Sequence, residues 1–468
     1  MLIALLIIGL LIIVQLVFTI LIFVKIRRLT KSLSSSVSKE EEEDIKKEPE
    51  TGQAEGVDET ETGAMIAETE DLTIKTKKEQ VLEAVNSRKR GVTEDDLPEI
   101  KKELTRFFSD FPHGDYYKDF HSKDYFRFLD LRERPEERIV VIGDIHCDYL
   151  SLAAILHKLA LAEYDYFGKA YFVFLGDYLD RGMSLFEPLL LLADLKRILG
   201  ERMIMLKGNH ELLEWSESTR LLKPRVRPHE SCDCLNNFCG KDEDFLRRFS
   251  AFYNTLPIYV YVKSAGRNIL LTHAAVPRDV FLNTVSFDEQ SGEMVFSPGL
   301  SEDGSLRTRA KVFYDMIWGD PKPNEEKLQV EGRFEFGSKQ FERWATRNRL
   351  DLLLRSHEEA EYGYTTFFDD KLFTIFSTGG KENPQTGYPK VEPAFGIIQE
   401  GQLSIENSFI FKVKKDNDTF FVNALSKQGY SDKQMENYKV GEEFICEESQ
   451  ASNIGQFFKT MAESPSED

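Results

Sequence analysis

Residues 139–146 read IVVIGDIH, residues 171–182 read YFVFLGDYLDRG, and residues 203–211 read MIMLKGNHE. Each opens on a short apolar run and passes into glycine followed by polar side chains. The runs start 32 residues apart, and amphipathic stretches at Leu150–Leu161 and Leu185–Leu199 fill the gaps. Strand, helix, strand, helix, strand at that spacing is the pattern of parallel strands joined by crossover helices. Further apolar runs at 268–272, 351–354, 372–377 and 394–399, with hairpin-type turns at Asp369-Asp370 and Glu400-Gly401, add strands of a different connectivity. The fold class predicted is α/β, a mixed β-sandwich flanked by helices.

Open α/β sheets place ligands beyond the carboxyl ends of their strands. Asp144 and His146 stand beyond the first run, Asp177 beyond the second, and Asn209 beyond the third. Two more histidines, His273 and His357, close the later runs. A lone histidine in such a place is usually a hydrogen-bonded core or surface residue, but four of the chain's eight stand just past strand runs. Carboxylate, imidazole and amide oxygens without thiolate suit Mn, Fe or Zn, and these six side chains suffice for two ions.

These blocks resemble the GDxH, GDxxDRG and GNHE motifs of the phosphoprotein phosphatase family of metallophosphoesterases, over roughly residues 138–400. Leu256-Pro257, Trp318-Gly319-Asp320-Pro321, Phe336-Gly337 and Arg355-Ser356-His357 add to the likeness. The resemblance implies a calcineurin-like fold and two divalent or trivalent metal ions (Mn, Fe or Zn). Asp144, His146 and Asp177 would hold one, and Asp177, Asn209, His273 and His357 the other. It also implies hydrolysis of phosphoserine and phosphothreonine in proteins by direct attack of metal-activated water. In that chemistry His210 protonates the leaving oxygen, Asp180 orients His210, and Arg181 and Arg355 bind phosphate. The chain departs from the family at Cys147 (usually Gly), Lys207 (often Arg), His273-Ala274-Ala275 (commonly HGG) and Ser377-Thr378-Gly379-Gly380 (SAPNYC in many members). It is thus similar to a divergent member whose substrate preference does not carry over. A nucleotide phosphoesterase, acting for example on a dinucleoside polyphosphate, and an inactive membrane tether of the same fold are the alternatives.

Outside these blocks, residues 1–24 carry no charge and are long enough for a transmembrane helix. Lys25, Arg27, Arg28 and Lys31 follow, which predicts a single-pass membrane protein with its catalytic domain facing the cytoplasm. Residues 25–71 form a basic flank and an acidic linker; from Lys39 to Asp71 fourteen acids face three lysines, a disordered composition. Residues 72–137 read as a helical lead-in, 138–405 as the catalytic domain, and 406–468 as a C-terminal extension with a possible strand pair after Phe409 and a polar tail. With 60 basic and 80 acidic residues the net charge is −20, which excludes a general nucleic-acid binder. The expected partners are a phosphoprotein substrate and the membrane; the sequence names no regulatory subunit. Five cysteines do not form a disulfide framework. Cys147 reads as inert packing. Cys232, Cys234 and Cys239, near His229, read as free thiols on an inserted loop, because paired zinc ligands show cleaner spacing. Residues 281–306 read as a surface insertion near the active face.

Overall fold

The computed structural model describes residues 75–88, 92–111, 115–297, 300–323, 333–381, 383–415, 418–424 and 444–446, all within one compact unit, Thr73–Asp468. The run Met1–Val24 and the linker to residue 71 lie outside the described residues. Among the described residues no helix is long and apolar enough to cross a membrane.

Eleven strands form two sheets: β1 (Phe126–Asp130), β2 (Ile139–Ile142), β3 (Tyr171–Phe174), β4 (Met203–Met205), β5 (Tyr259–Ser264), β6 (Arg267–Thr272), β7 (Leu352–Arg355), β8 (Tyr364–Phe367), β9 (Leu372–Ile375), β10 (Ala394–Gln399) and β11 (Gln402–Asn407). One sheet runs β11-β10-β2-β3-β4 and the other β1-β5-β6-β7-β9-β8. In the first, β2, β3 and β4 are parallel while β10 runs antiparallel to both of its neighbours, β2 and β11, so the sandwich is of mixed direction, as the later apolar runs suggested.

Period-two alternation decides which layer each side chain joins. Ile139, Val141, Val173, Leu175 and Ile204 face Val260, Val262, Ile269, Leu271, Leu352 and Leu354 in the core between the sheets. The opposite parity, Val140, Ile142, Phe172, Phe174 and Met205, faces helices α1 (Lys77–Ser87), α2 (Leu97–Ser109), α3 (Tyr149–Leu161), α4 (Phe186–Leu199), α5 (Glu230–Cys239) and α6 (Glu243–Tyr253). On the far side, Tyr259, Tyr261, Leu270 and Leu353 pack beneath α7 (Glu302–Trp318) and α8 (Ser338–Asn348). Burial on both faces explains why the central strands read as continuous apolar runs.

The lead-in is not an appendage. Leu104, Phe107 and Phe108 of α2 join the core beneath α4 and α6, where Phe108 stacks on Phe252 at 4.7 Å and meets Phe249 edge-on at 5.7 Å. It also contains β1, which pairs in parallel with β5 from Phe126↔Tyr259 to Asp130↔Lys263. Phe108→Ala should therefore lower stability by about 3–5 kcal/mol, read as a lower urea midpoint at unchanged m-value. A change within about 0.5 kcal/mol would show a dispensable lead-in.

Residues 281–306 differ from expectation. Val285–Phe287 and Met294–Phe296 pair antiparallel, and Val285, Phe287 and Met294 are buried against Tyr259, Tyr261 and Trp344; of the polar residues that suggested an insertion, Asp288–Glu293 form the turn between them and Ser301–Ser305 cap and open α7. The cysteines Cys232, Cys234 and Cys239 sit on helix α5, not a loop, as buried free thiols. After Phe409 the expected strand pair is present as Phe409–Lys415 with Asp418–Ala424, joined by Phe444–Cys446.

Candidate metal centre

Strands β2, β3 and β4 end side by side, and the turns beyond them take unusual backbone. Among the described residues His146, Cys147, Asp177, Asp180, Arg181 and His357 are non-glycine residues with positive φ, from 45° to 73°. Such angles are costly for most side chains, and their concentration here marks turns held by their surroundings. Gly208 is required for contact: a Cβ there would lie 2.1 Å from Asp177 Oδ1. Glu211 binds the turns together by accepting the backbone N–H groups of Asp177, Tyr178 and Gly208 at 2.8–2.9 Å. Burial, with Asp177 beside it, pushes its pKa up to about 7.

All six predicted ligands converge. His146 Nε2 lies 3.4 Å from Asp144 Oδ2 and 3.6 Å from Asp177 Oδ2. His273 Nε2 lies 2.9 Å from Asn209 Oδ1, 3.1 Å from His357 Nδ1 and 3.4 Å from Asp177 Oδ1. Backbone carbonyls set both tautomers: His146 Nδ1 is 2.8 Å from the Leu179 oxygen and His273 Nδ1 3.0 Å from that of Leu175. Each Nδ1 must therefore donate, leaving each Nε2 lone pair aimed at oxygens.

The donor set fits cations. Asp144 Oδ1 is engaged by Ser356 Oγ and the His357 N–H, whereas Asp144 Oδ2 is buried without a hydrogen-bond partner among the described residues. Burial opposes a charge on His146, yet Asp144 and Asp177 push its pKa up to about 9; a shared proton is the alternative to a cation. His357 is held well below its ordinary pKa by burial, His273 and Arg355, and so stays a neutral ring. Two ligand groups emerge, His146 with Asp177 and His210, and Asp177 with His273 and His357. In the first, His210 is already committed, with Nδ1 2.6 Å from Asp180 Oδ2.

Residues 137–359 match the family model for calcineurin-like phosphoesterases. The chain contains a calcineurin-like phosphoesterase domain. It is 27% identical over 268 residues to a probable serine/threonine-protein phosphatase of Encephalitozoon cuniculi, a match covering 56% of this chain and 52% of that protein. The chain thus spans about half the length of this curated relative. Among solved structures, a Saccharomyces cerevisiae serine/threonine phosphatase with similarity to human phosphatase PP5 matches at 18% identity and TM-score 0.47, covering 69% of this chain and 92% of that one. A cold-active protein-tyrosine phosphatase of a Shewanella species matches at 13% identity and TM-score 0.39, covering 61% and 84%.

At the rim of the phosphoesterase domain the two predicted phosphate-binding arginines fare differently. Arg181 is half-buried beside the loop that carries Tyr388, whose ring is 5.5 Å from that of His146. Arg355 is 0% exposed. Its Nη1 donates to Glu358 Oε2 at 2.8 Å and Thr374 Oγ1 at 3.2 Å, and its Nη2 to the Gly319 carbonyl at 3.3 Å. Arg355, expected to bind phosphate, is thus engaged by the protein itself; its Nη2 also lies 3.8 Å from Asp320 Oδ1, which is 3.7 Å from His357 Nε2.

The sequence reading missed Arg333. Its side chain is 51% exposed, its Nε is 2.6 Å from Asp320 Oδ2, and its Nη2 is 3.2 Å from His357 Nε2. Its signal was the arginine three residues before the Phe336-Gly337 pair. Arg333→Ala should lower kcat/KM on a phosphopeptide about ten- to a hundredfold with the unfolding midpoint nearly unchanged. Arg355→Met should instead cost about 3–5 kcal/mol of stability, since Glu358 and Asp320 lose a buried partner. The reverse pattern would return the phosphate role to Arg355.

Proposed function

We propose that this protein is a metal-dependent phosphomonoesterase acting on phosphoserine and phosphothreonine in proteins, with Asp144, His146, Asp177, Asn209, His273 and His357 holding two ions (Mn, Fe or Zn). The observation that carries the reading is the convergence of six candidate ligand side chains from five strand ends, with Asp177 between His146 and His273 and with Asp144 Oδ2 buried without a hydrogen-bond partner among the described residues. Two bound cations supply Lewis acidity toward phosphoryl oxygens and a lowered pKa for water. The chain's own residues do the rest. Arg181 and Arg333 bind and orient the phosphoryl group. As the water–phosphorus bond forms and the phosphorus–oxygen bond to serine breaks, the departing alkoxide takes the proton of His210 Nε2, while Asp180 steadies the imidazole through Nδ1.

The name of the Encephalitozoon relative favours a phosphoprotein substrate. The test is turnover of phosphopeptides, a dinucleoside polyphosphate and a mononucleotide by the full chain, before and after chelation and Mn, Fe or Zn add-back. Phosphopeptide turnover lost with chelator and restored by metal is expected; faster turnover of the dinucleoside polyphosphate would replace the substrate class, and no turnover with two ions bound would reject the enzyme. The uncharged run Met1–Val24 and its basic flank support a single-pass anchor with the catalytic domain on the cytoplasmic side. Release of the full chain from membranes by alkaline carbonate would refute it.

A further inference from the structure

Asp180 has two carboxylate oxygens, and the reaction above accounts for one. Oδ2 receives His210 Nδ1, while Oδ1 accepts the Ser231 backbone N–H at 2.9 Å and lies 2.8 Å from Nδ1 of His229. His229, whose side chain is 1% exposed, stands at the N-cap of α5. Its other nitrogen, Nε2, is 2.9 Å from the backbone carbonyl oxygen of His210. The same ring thus reaches both members of the His210–Asp180 pair, one through its side chain and one through its backbone.

Protonation follows from the neighbours. A nitrogen facing a carbonyl oxygen must donate, so Nε2 carries hydrogen. Nδ1 has two claimants, the Asp180 carboxylate at 2.8 Å and the Cys232 N–H at 3.1 Å. If Nδ1 merely capped the helix, its lone pair would oppose a buried carboxylate at hydrogen-bond distance. Protonated, it donates to that carboxylate in a charge-assisted bond. Burial disfavours the charged ring, yet Asp180 raises its pKa above the ordinary value. Burial likewise opposes charge on Asp180, which His229 and His210 nevertheless hold well below the carboxylate range.

We infer that His229 is a positioning residue for the proton donor: it clamps Asp180 Oδ1 and the His210 carbonyl together, fixing the imidazole of His210 so that its Nε2 meets the leaving oxygen. The inference rests on the reading of His210 as the acid. It predicts a dependence on the leaving group, because serine alkoxide needs a proton to depart and p-nitrophenolate does not.

The test compares wild type, His229→Ala and His229→Asn full-length protein on a phosphoserine peptide and on p-nitrophenyl phosphate. Asparagine keeps a helix-capping side chain but cannot reach the His210 carbonyl, which guards against a variant that fails to fold. For His229→Ala the peptide kcat should fall about ten- to a hundredfold and the p-nitrophenyl phosphate kcat less than about threefold, with KM and bound metal unchanged. His229→Asn should show the same selective loss at smaller size. Equal losses on both substrates, or no loss on either, would overturn the inference. In 15N-histidine-labelled protein, the Nδ1 proton of His210 should move upfield or broaden in His229→Asn; an unchanged resonance also overturns it. That readout needs no turnover, so if wild type hydrolyses neither substrate the phosphatase reading fails separately.

Discussion

Asp177→Asn is expected to leave the chain with at most one bound ion and less than about a thousandth of its phosphopeptide turnover. Asp177 is the member common to both ligand groups, with Oδ2 toward His146 and Oδ1 toward His273. Asparagine is nearly the same shape and tolerates the φ of 53° found there. It can still accept the His210 N–H that now reaches Asp177 Oδ1 at 3.0 Å. The substitution therefore removes charge and little else. The metal-free variant should also be less stable than metal-free wild type at neutral pH, because, against burial, His273, His210 and His146 hold the Asp177 carboxyl well below the usual carboxylate range and asparagine gives up that stabilisation. Metal analysis beside turnover checks this; two ions and more than a tenth of the activity would remove Asp177 from its bridging place.

His210→Asn should lower the phosphoserine kcat by about 10²–10⁴ while both ions stay bound. The ligand set does not need His210, whose Nδ1 is committed to Asp180, so metal content and chemistry should separate. With p-nitrophenyl phosphate the loss should shrink, since that leaving group departs as a stable anion. If metal falls in step with activity, His210 is a ligand. If the two substrates suffer equally, it is no acid.

The three glycine-containing blocks were legible because each candidate ligand stands within a few residues of an apolar run, and parallel strands bring such ends together whatever lies between them. His273 and His357 were legible for the same reason. Arg333 was not: it precedes Glu335–Phe336, which pairs over two residues with Asp320–Pro321 and leaves no strand-length signal. The burial of Arg355 was not legible either, because the motif alone does not show that the guanidinium on the strand's last residue is enclosed by Glu358, Thr374 and the Gly319 carbonyl. His229 was noticed beside the cysteines, but its partner Asp180 comes from a distant turn, a pairing that no spacing reveals. Strand β1, short and with charged Arg127 and Asp130, was hidden for the same reason: its partner lies far along the chain.

That hidden strand bears on how the protein can be handled. A fragment cut at residue 138, where the three glycine-containing blocks begin, would peel β1 from β5 and uncover the backbone of Tyr259, Val260, Tyr261 and Val262, a ready template for fibrillar stacking between molecules. Cutting ahead of α1, near residue 73, keeps that seam closed, and the difference should be visible as monodisperse against precipitating material at equal concentration.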